Sequence, residues 1–254
     1  MKLTVLGSGT LVPHAERGSP GFAVSGDGSP EVLLFDGGSG TLQRAVRAGI
    51  DWRAASRLFY THYHPDHTLD LVSFLFAANY APPEPRTSSL TVFGPAGLQN
   101  FYHRVQAAWP SVTPTNYELA LRELNPGDNV EIEGNWCVSC AAMDHGESGG
   151  LGYRVEREGR ALVLSGDTQY CPELVRLAAD ADLLVCECSA DDAGRVDGHM
   201  TPSQVARVAA ESGVKKILIN HVYSPLAPEI LAAECAKISG ARVEHAVDLR
   251  SYEV

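Results

Sequence analysis

The sequence predicts an α/β protein, and three features of the chain lead to this prediction. Short β-rich runs alternate with apolar helical runs along most of the 254 residues. Glycine and proline separate these runs, and no long linker, low-complexity tract or block of charge divides the chain. The pattern also falls into two similar halves. We therefore expect a single domain over residues 1–254, built from two αβ halves.

The first half begins with three strands and then alternates between helices and strands. The predicted strands are Lys2–Leu6, Phe22–Ser25, Glu31–Phe35, Arg57–Thr61 and Leu90–Phe93. The predicted helices are Thr41–Ala48, which Gly49 closes, Leu69–Tyr80, which stops before two prolines, and Leu98–Trp109, which Pro110 follows. The aromatic side chains of the last helix, Phe101, Tyr102 and Trp109, are expected in the core rather than on a base-stacking surface.

The second half, like the first, is a succession of predicted strands and helices. Its predicted strands are Val130–Ala142, Gly152–Glu156, Ala161–Ser165, Asp182–Cys186, Lys216–Ile219 and Arg242–Val247. Its predicted helices are Pro172–Ala179, Pro202–Ser212, for which Thr201 is the N-cap, and Pro228–Ile238, which Gly240 closes. If the apolar strands are buried on both faces, helices must cover the outer faces of paired sheets.

The charge balance excludes one broad class of function. Lys and Arg number 20 against 31 Asp and Glu, which gives a formal net charge of −11. Because affinity for a phosphate backbone comes from clustered Lys and Arg, a protein that coats a polyanion is not expected. Hydrophobic residues make up 44% and charged residues 20%, which is typical of a folded domain rather than a disordered chain.

Cellular location and redox state follow from what the chain does not contain. The apolar run Met1–Gly7 is too short for a signal peptide, and no run reaches the ~18 residues that a membrane span needs. We therefore expect a cytoplasmic protein that does not enter membranes. The six cysteines are expected to be reduced thiols. Cys137 and Cys140 read as part of a strand rather than as a metal-binding pair.

A cluster of histidines marks the first candidate site. His62-Tyr63-His64-Pro65-Asp66-His67 follows an apolar strand directly, where open α/β sheets place ligand-binding groups. The spacing of His62 and His64 lets an extended loop direct both imidazoles to one point, while Asp66 and His67 can face a second point. Imidazole and carboxylate together suit Zn²⁺, Mn²⁺ or Fe²⁺.

Three more candidate ligands lie at the ends of other predicted strands. They are His145, Asp167 and His221. Each of them alone is explained equally well as a hydrogen-bonded cap of its strand. All three share the strand-end position of the histidine cluster, and this shared position favours a common metal site.

The ordered set His62, His64, Asp66, His67, His145, Asp167 and His221 resembles the five motifs of the metallo-β-lactamase superfamily. The resemblance covers nearly the whole chain. It implies a four-layer αβ/βα sandwich, the metallo-β-lactamase fold, with a dinuclear site between the ends of two sheets. In this scheme His62, His64 and His145 hold one metal ion, Asp66, His67 and His221 hold the other, and Asp167 bridges them. Zn²⁺ is the favoured ion, with Mn²⁺ and Fe²⁺ as alternatives.

Local patterns are similar to those of the ribonuclease Z-like group of this superfamily. They are Leu6-Gly7-Ser8-Gly9-Thr10, the run from Leu34 to Thr41, Gly152-Tyr153, Glu187-Cys188-Ser189 and Gly198-His199-Met200-Thr201. The resemblance implies that Glu187 and His199 act together near the leaving group. It also implies that Asp66 takes the proton of the attacking water.

Two departures from the group bear on the substrate. The tRNA-processing members carry a long arm between the Asp and final His motifs, whereas only 54 residues separate Asp167 from His221 here. In the loop Pro13–Gly18, Ala15 replaces a basic residue and Gly18 replaces an asparagine of the family pattern. Both departures favour a small substrate over transfer RNA.

The sequence therefore predicts a dinuclear metal-dependent hydrolase, and most specifically a phosphodiesterase for a small anionic phosphodiester or nucleotide-like substrate. Asp66, Glu187 and His199 are its expected catalytic residues. The alternatives are a ribonuclease Z-type tRNA 3′-end endonuclease, a thioester or lactone hydrolase on the same fold, and a non-catalytic nucleic-acid-processing subunit. RNA is the less favoured substrate, and the resemblance implies that the chain can form a homodimer.

Overall fold

The strands form two mixed sheets of seven strands each in this computed structural model, which describes all 254 residues. The strands of the first sheet are β1 (Lys2–Gly7), β2 (Gly21–Ser25), β3 (Val32–Phe35), β4 (Ala55–Phe59), β5 (Leu90–Gly94), β6 (Leu119–Glu123) and β14 (Ser251–Glu253). They lie in the order β14-β1-β2-β3-β4-β5-β6. The pairs from β3 to β6 are parallel, and the pairs that join β14, β1, β2 and β3 are antiparallel.

The second sheet mirrors the first. Its strands are β7 (Asn129–Ile132), β8 (Trp136–Ala142), β9 (Leu151–Arg157), β10 (Arg160–Leu164), β11 (Leu183–Glu187), β12 (Ile217–Asn220) and β13 (Val243–His245). They lie in the order β13-β12-β11-β10-β9-β8-β7. Strands β10 to β13 are parallel, so each sheet has one parallel half whose strand ends can carry a site.

Seven α-helices cover the sheets. They are α1 (Thr41–Arg47), α2 (Pro65–Thr68), α3 (Asp70–Tyr80), α4 (Leu98–Ala108), α5 (Pro172–Leu177), α6 (Pro202–Ser212) and α7 (Pro228–Ser239). The predicted start of α6 is confirmed, because Thr201 and Gln204 form a reciprocal capping box with Pro202 as the first helical residue. No helix has the length and apolarity that crossing a membrane requires.

Three hydrophobic clusters define four layers. The central cluster joins residues of both sheets, including Phe35 and Phe59 of the first sheet and Tyr153 of the second. The other two clusters pack α1, α3 and α4 onto the first sheet and α5, α6 and α7 onto the second. The order helix, sheet, sheet, helix is the predicted αβ/βα sandwich, so the predicted fold class is confirmed.

Two hydrogen bonds join the two sheets beside the end of β4. The Tyr153 hydroxyl of β9 donates a 2.7 Å hydrogen bond to the carbonyl of Tyr60, and the backbone N–H of Leu151 donates a 2.8 Å bond to the carbonyl of Thr61. Tyr153 is fully buried, and its ring packs 5.5 Å from that of Phe59. These contacts fix the start of the histidine cluster against the second sheet.

The structure differs from these predictions in several respects. The predicted strand Val130–Ala142 is the hairpin β7–β8, because Gly134 and Asn135 adopt positive φ angles of 83° and 64° and reverse the chain. Strands β6 and β14 were not predicted. The prediction of Trp109 as a core residue is wrong, since the side chain follows the end of α4 and is 49% exposed.

Candidate metal centre

The predicted site residues converge where the strand ends of the two sheets meet. His62 and His64 follow β4, Asp167 follows β10, and His221 follows β12. These three strands belong to the parallel parts of their sheets, whose carboxyl ends lie at one edge. His145 reaches the same edge from the connection between β8 and β9.

Three imidazoles and one carboxylate form a first group, comprising His62, His64, His145 and Asp167, with the four ligand atoms within 4.8 Å of one another. Nε2 of His145 is 3.2 Å from Nδ1 of His64. Oδ2 of Asp167 is 3.8 Å from Nε2 of His62 and from Nε2 of His145. Of the three histidines, only His64 is partly exposed to solvent.

The second group comprises Asp66, His67 and His221, also with ligand atoms within 4.8 Å of one another. Nε2 of His221 is 3.4 Å from Oδ2 of Asp66 and 3.4 Å from Oδ2 of Asp167. Nε2 of His67 is 3.3 Å from Oδ1 of Asp167. Asp167 therefore contacts both groups, which is the position that a bridging ligand requires.

Hydrogen bonds on the outer side fix the tautomers of two of these histidines. Nδ1 of His145 is 2.9 Å from the carbonyl of Gly198, and Nδ1 of His67 is 2.8 Å from Oδ2 of Asp36. A carbonyl and a carboxylate only accept, so each Nδ1 carries the proton. In the neutral form of each ring, Nε2 then carries the lone pair that a metal ion would bind.

His62 is held in the same way through a hydroxyl. The Thr61 Oγ1–H donates to Oδ2 of Asp36 at 2.9 Å, so the oxygen is left to accept a bond from Nδ1 of His62 at 3.0 Å. Asp36 thus positions two histidines, His67 directly and His62 through Thr61. Its own backbone has a φ of 53°, an unusual conformation that the surrounding structure holds at this strand end.

The donor set fits divalent transition-metal ions. Nε2 of His62, of His67 and of His221 is buried and has no hydrogen-bond partner. Burial costs such atoms free energy unless something binds them. Burial and the neighbouring His67 lower the pKa of His62, so its ring is neutral. Burial opposes ionisation of Asp167, but His221 and His67 outweigh it and hold the pKa of this carboxyl well below its usual value.

A second buried pair lies beside the two groups. The Glu187 side chain is fully buried, and its Oε1 accepts a 3.0 Å hydrogen bond from Nδ1 of His199. Nε2 of His199 is 3.3 Å from the Tyr223 hydroxyl. Burial lowers the pKa of His199, but the hydrogen bond and charge of Glu187 outweigh it and raise the pKa above its usual value. The imidazole is thus disposed to carry a proton.

A glycine permits the close approach of the two halves at this point. Gly166, directly before Asp167, has a φ of 63°, and a Cβ atom there would lie 2.8 Å from Cβ of Thr61. A side chain at this position would push the end of β10 away from the end of β4. Asp167 could then no longer reach both ligand groups.

All the predicted site residues lie together, and their assignment as metal ligands and catalytic groups stays a prediction. Asp36, Thr61 and Ser189 contact the site and were not predicted as parts of it. Asp36 follows a buried strand as the predicted ligands do, so the same strand-end criterion could have found it. His14 also lines the cavity beside His64.

The cysteines take no part in the candidate metal groups. Cys137 and Cys140 lie within β8, as predicted, and all six cysteines are free thiols. None of the groups of residues that could hold a metal contains a cysteine.

Comparisons with known proteins agree with this architecture. Residues 31–222 match the family model described as a Beta-lactamase superfamily domain. A ribonuclease Z from Mycobacterium marinum is 31% identical over 290 aligned positions, which cover 100% of this chain and 99% of that protein. The metallo-beta-lactamase fold protein YhfI from Bacillus subtilis has a TM-score of 0.84 at 20% identity, covering 99% of this chain and 98% of its own. Human tRNase Z, short form, has a TM-score of 0.80 at 23% identity, covering 100% and 99%. These two likenesses show the fold.

The geometry predicts that the protein, purified without chelators, contains close to two divalent transition-metal ions per chain. His64→Ala is expected to remove most of the bound metal, because the ring is one of only three imidazoles in the first group. Since His64 is partly exposed, the fold should survive the change. Elemental analysis of the desalted proteins measures the ions.

The matched control is His103→Ala, which removes an exposed imidazole of α4 that contacts none of the site residues. It should retain the metal content of the wild type. A wild-type protein without bound metal, or a His64→Ala protein with unchanged metal content, contradicts the assignment.

Proposed function

The chain belongs to the β-lactamase superfamily as a metal-dependent hydrolase, and on this premise we propose that it is a dinuclear phosphodiesterase acting on a small phosphodiester or nucleotide-like substrate. The observation that carries the proposal is the Glu187–His199 pair beside the two ligand groups. An alkoxide is a poor leaving group and needs a proton as the ester bond breaks. A buried histidine held by a carboxylate supplies such a proton.

The chain's own residues divide the reaction between them. Divalent ions held by the two ligand groups would lower the pKa of a water molecule and offset the charge of the phosphoryl oxygens. The carboxylate of Asp66, which is 9% exposed, accepts the proton of the attacking water. His199 donates the proton on Nε2 to the departing oxygen, while Glu187 holds the opposite Nδ1–H and stabilises the charged ring.

The cavity beside the site supports a small substrate. It has a volume of about 610 Å³ and opens next to His64 and Asp66. This size is in the range of pockets that take small ligands. Arg17 is the only Lys or Arg side chain in its lining, and no Phe, Tyr or Trp lines it. One cation suits a single phosphate, whereas a run of RNA binds through several cations and aromatic stacking surfaces.

Ribonuclease Z-type cleavage is the second candidate, and the relative from Mycobacterium marinum favours it, since that protein is named a ribonuclease Z. Its alignment with this chain takes 290 positions for 254 residues, so the relative contains segments that this chain lacks. Between Asp167 and His221, the helices α5 and α6 and the strands β11 and β12 occupy about half of the interval, and no further helix or strand that could form an arm lies in it. We therefore rank transfer RNA second.

A thioester or lactone hydrolase is the third candidate, because the same ligand groups can polarise a carbonyl. Such a substrate has a leaving group that needs no strong acid, so the Glu187–His199 pair would have no purpose. Zn²⁺ as the favoured ion, the homodimer and the cytoplasmic location stay predictions.

The proposal is tested by comparing four substrates of the metal-loaded protein. They are bis(p-nitrophenyl) phosphate, a cyclic phosphodiester of the size of a dinucleotide, a precursor tRNA and a thioester. We expect the highest kcat/KM on the small phosphodiesters and no hydrolysis of the thioester. Faster cleavage of the precursor tRNA than of the small diesters would establish the second candidate instead. Activity confined to the thioester would contradict both.

A second prediction concerns the proton donor. His199→Ala should lower kcat by about 10²–10⁴-fold on a phosphodiester with an alkyl leaving group. On bis(p-nitrophenyl) phosphate the loss should be much smaller, because p-nitrophenolate leaves without a proton. The exposed His103→Ala serves as the control and should leave both rates unchanged. Equal losses on both substrates would show that His199 does not act as the leaving-group acid.

A further inference from the structure

One buried hydroxyl joins the two parts of the site. Ser189 has no exposed surface and lies just after β11. Its Oγ is 2.7 Å from Oε2 of Glu187, 3.0 Å from Nδ1 of His221 and 3.3 Å from Nδ1 of His199. A single side chain thus contacts a candidate metal ligand and both members of the acid pair.

The directions of these hydrogen bonds follow from the donors that are present. Oε2 of Glu187 is the acceptor of this hydrogen bond, so the Ser189 hydroxyl donates its one proton to it. The Oγ lone pairs then accept the proton on Nδ1 of His221. In the neutral tautomer with this hydrogen bond, Nε2 of His221 carries the lone pair. That atom is buried without a hydrogen-bond partner and lies 3.4 Å from Oδ2 of Asp66 and from Oδ2 of Asp167.

The first half of the chain contains the same arrangement. There Asp36 accepts from Nδ1 of His67 directly and from the Thr61 hydroxyl, which in turn accepts from Nδ1 of His62. In the second half Glu187 takes the place of Asp36, and Ser189 takes the place of Thr61. Each half therefore presents one carboxylate, one hydroxyl and two imidazoles at its strand ends.

From this correspondence we infer that Ser189 is a positioning residue, whose hydroxyl holds His221 in the tautomer that binds metal and joins it to the Glu187–His199 pair. The inference rests on the proposed function, since it takes His221 to be a ligand. Outer hydrogen bonds to a ligating histidine fix its ring and raise its basicity, and losing one typically weakens metal binding by about 10–100-fold.

The test measures binding of Zn²⁺ alone, without turnover. The protein is stripped with a chelator and titrated with Zn²⁺ against a competing chelator, as wild type, Ser189→Ala, Ser189→Thr and Ser212→Ala. Ser212 is the matched control, because it is a buried serine of α6 whose hydroxyl accepts only from the backbone N–H of Val214. Thermal unfolding of the stripped proteins compares the folds.

We expect Ser189→Ala to bind one of its two ions about 10–100-fold more weakly and the other as tightly as the wild type. Ser189→Thr should regain the lost affinity, and Ser212→Ala should bind both ions normally. The inference is wrong if Ser189→Ala binds both ions with wild-type affinity, or if its affinity for both ions falls by the same factor. A wild type that binds no Zn²⁺ would instead overturn the proposed function.

Discussion

The structure depends on one buried carboxylate held between four imidazoles. Asp167 is fully enclosed, and its oxygens lie 3.3 to 3.8 Å from imidazole nitrogens of His62, His67, His145 and His221. Two of these histidines come from the end of β4, and the others come from the second sheet. A buried carboxylate without a counter-charge costs free energy. The strand ends of both sheets must therefore lie within a few ångströms of one another, so that their imidazoles can surround Asp167. Gly166 makes this approach sterically possible, and the hydrogen bonds from Tyr153 and Leu151 hold it.

The residues of the candidate site could be predicted largely from the sequence, because each ligand follows an apolar strand in a recognisable order. The residues that hold these ligands through tertiary contacts could not be predicted from the sequence. Ser189 is only the last residue of a local pattern in the sequence, whereas its contacts reach His199 and His221, 10 and 32 positions further along the chain. The hairpin β7–β8 was missed because the turn at Gly134 and Asn135 interrupts an otherwise continuous β-rich run. Trp109 was misplaced because its position, one residue past the end of α4, turns the ring towards solvent.

For substrate binding, the charges of the residues at the site matter more than the net charge of the chain. The net charge of −11 belongs to the whole chain, whereas the site itself combines two buried carboxylates, Asp66 and Asp167, with five imidazoles. Such a site attracts cations, and bound divalent ions reverse its sign towards a phosphate. The cavity adds only Arg17 to this positive charge. The small anion that we propose as substrate therefore does not need the extended basic surface that a long RNA requires.

The central claim is that two ligand groups share Asp167 around two ions. X-ray diffraction from crystals grown with Zn²⁺, collected on both sides of the zinc absorption edge, tests it most directly. We expect two anomalous peaks about 3.5–4 Å apart. One should lie among His62, His64 and His145, the other among Asp66, His67 and His221, with Asp167 touching both. A single peak, or a second peak away from Asp167, would contradict it.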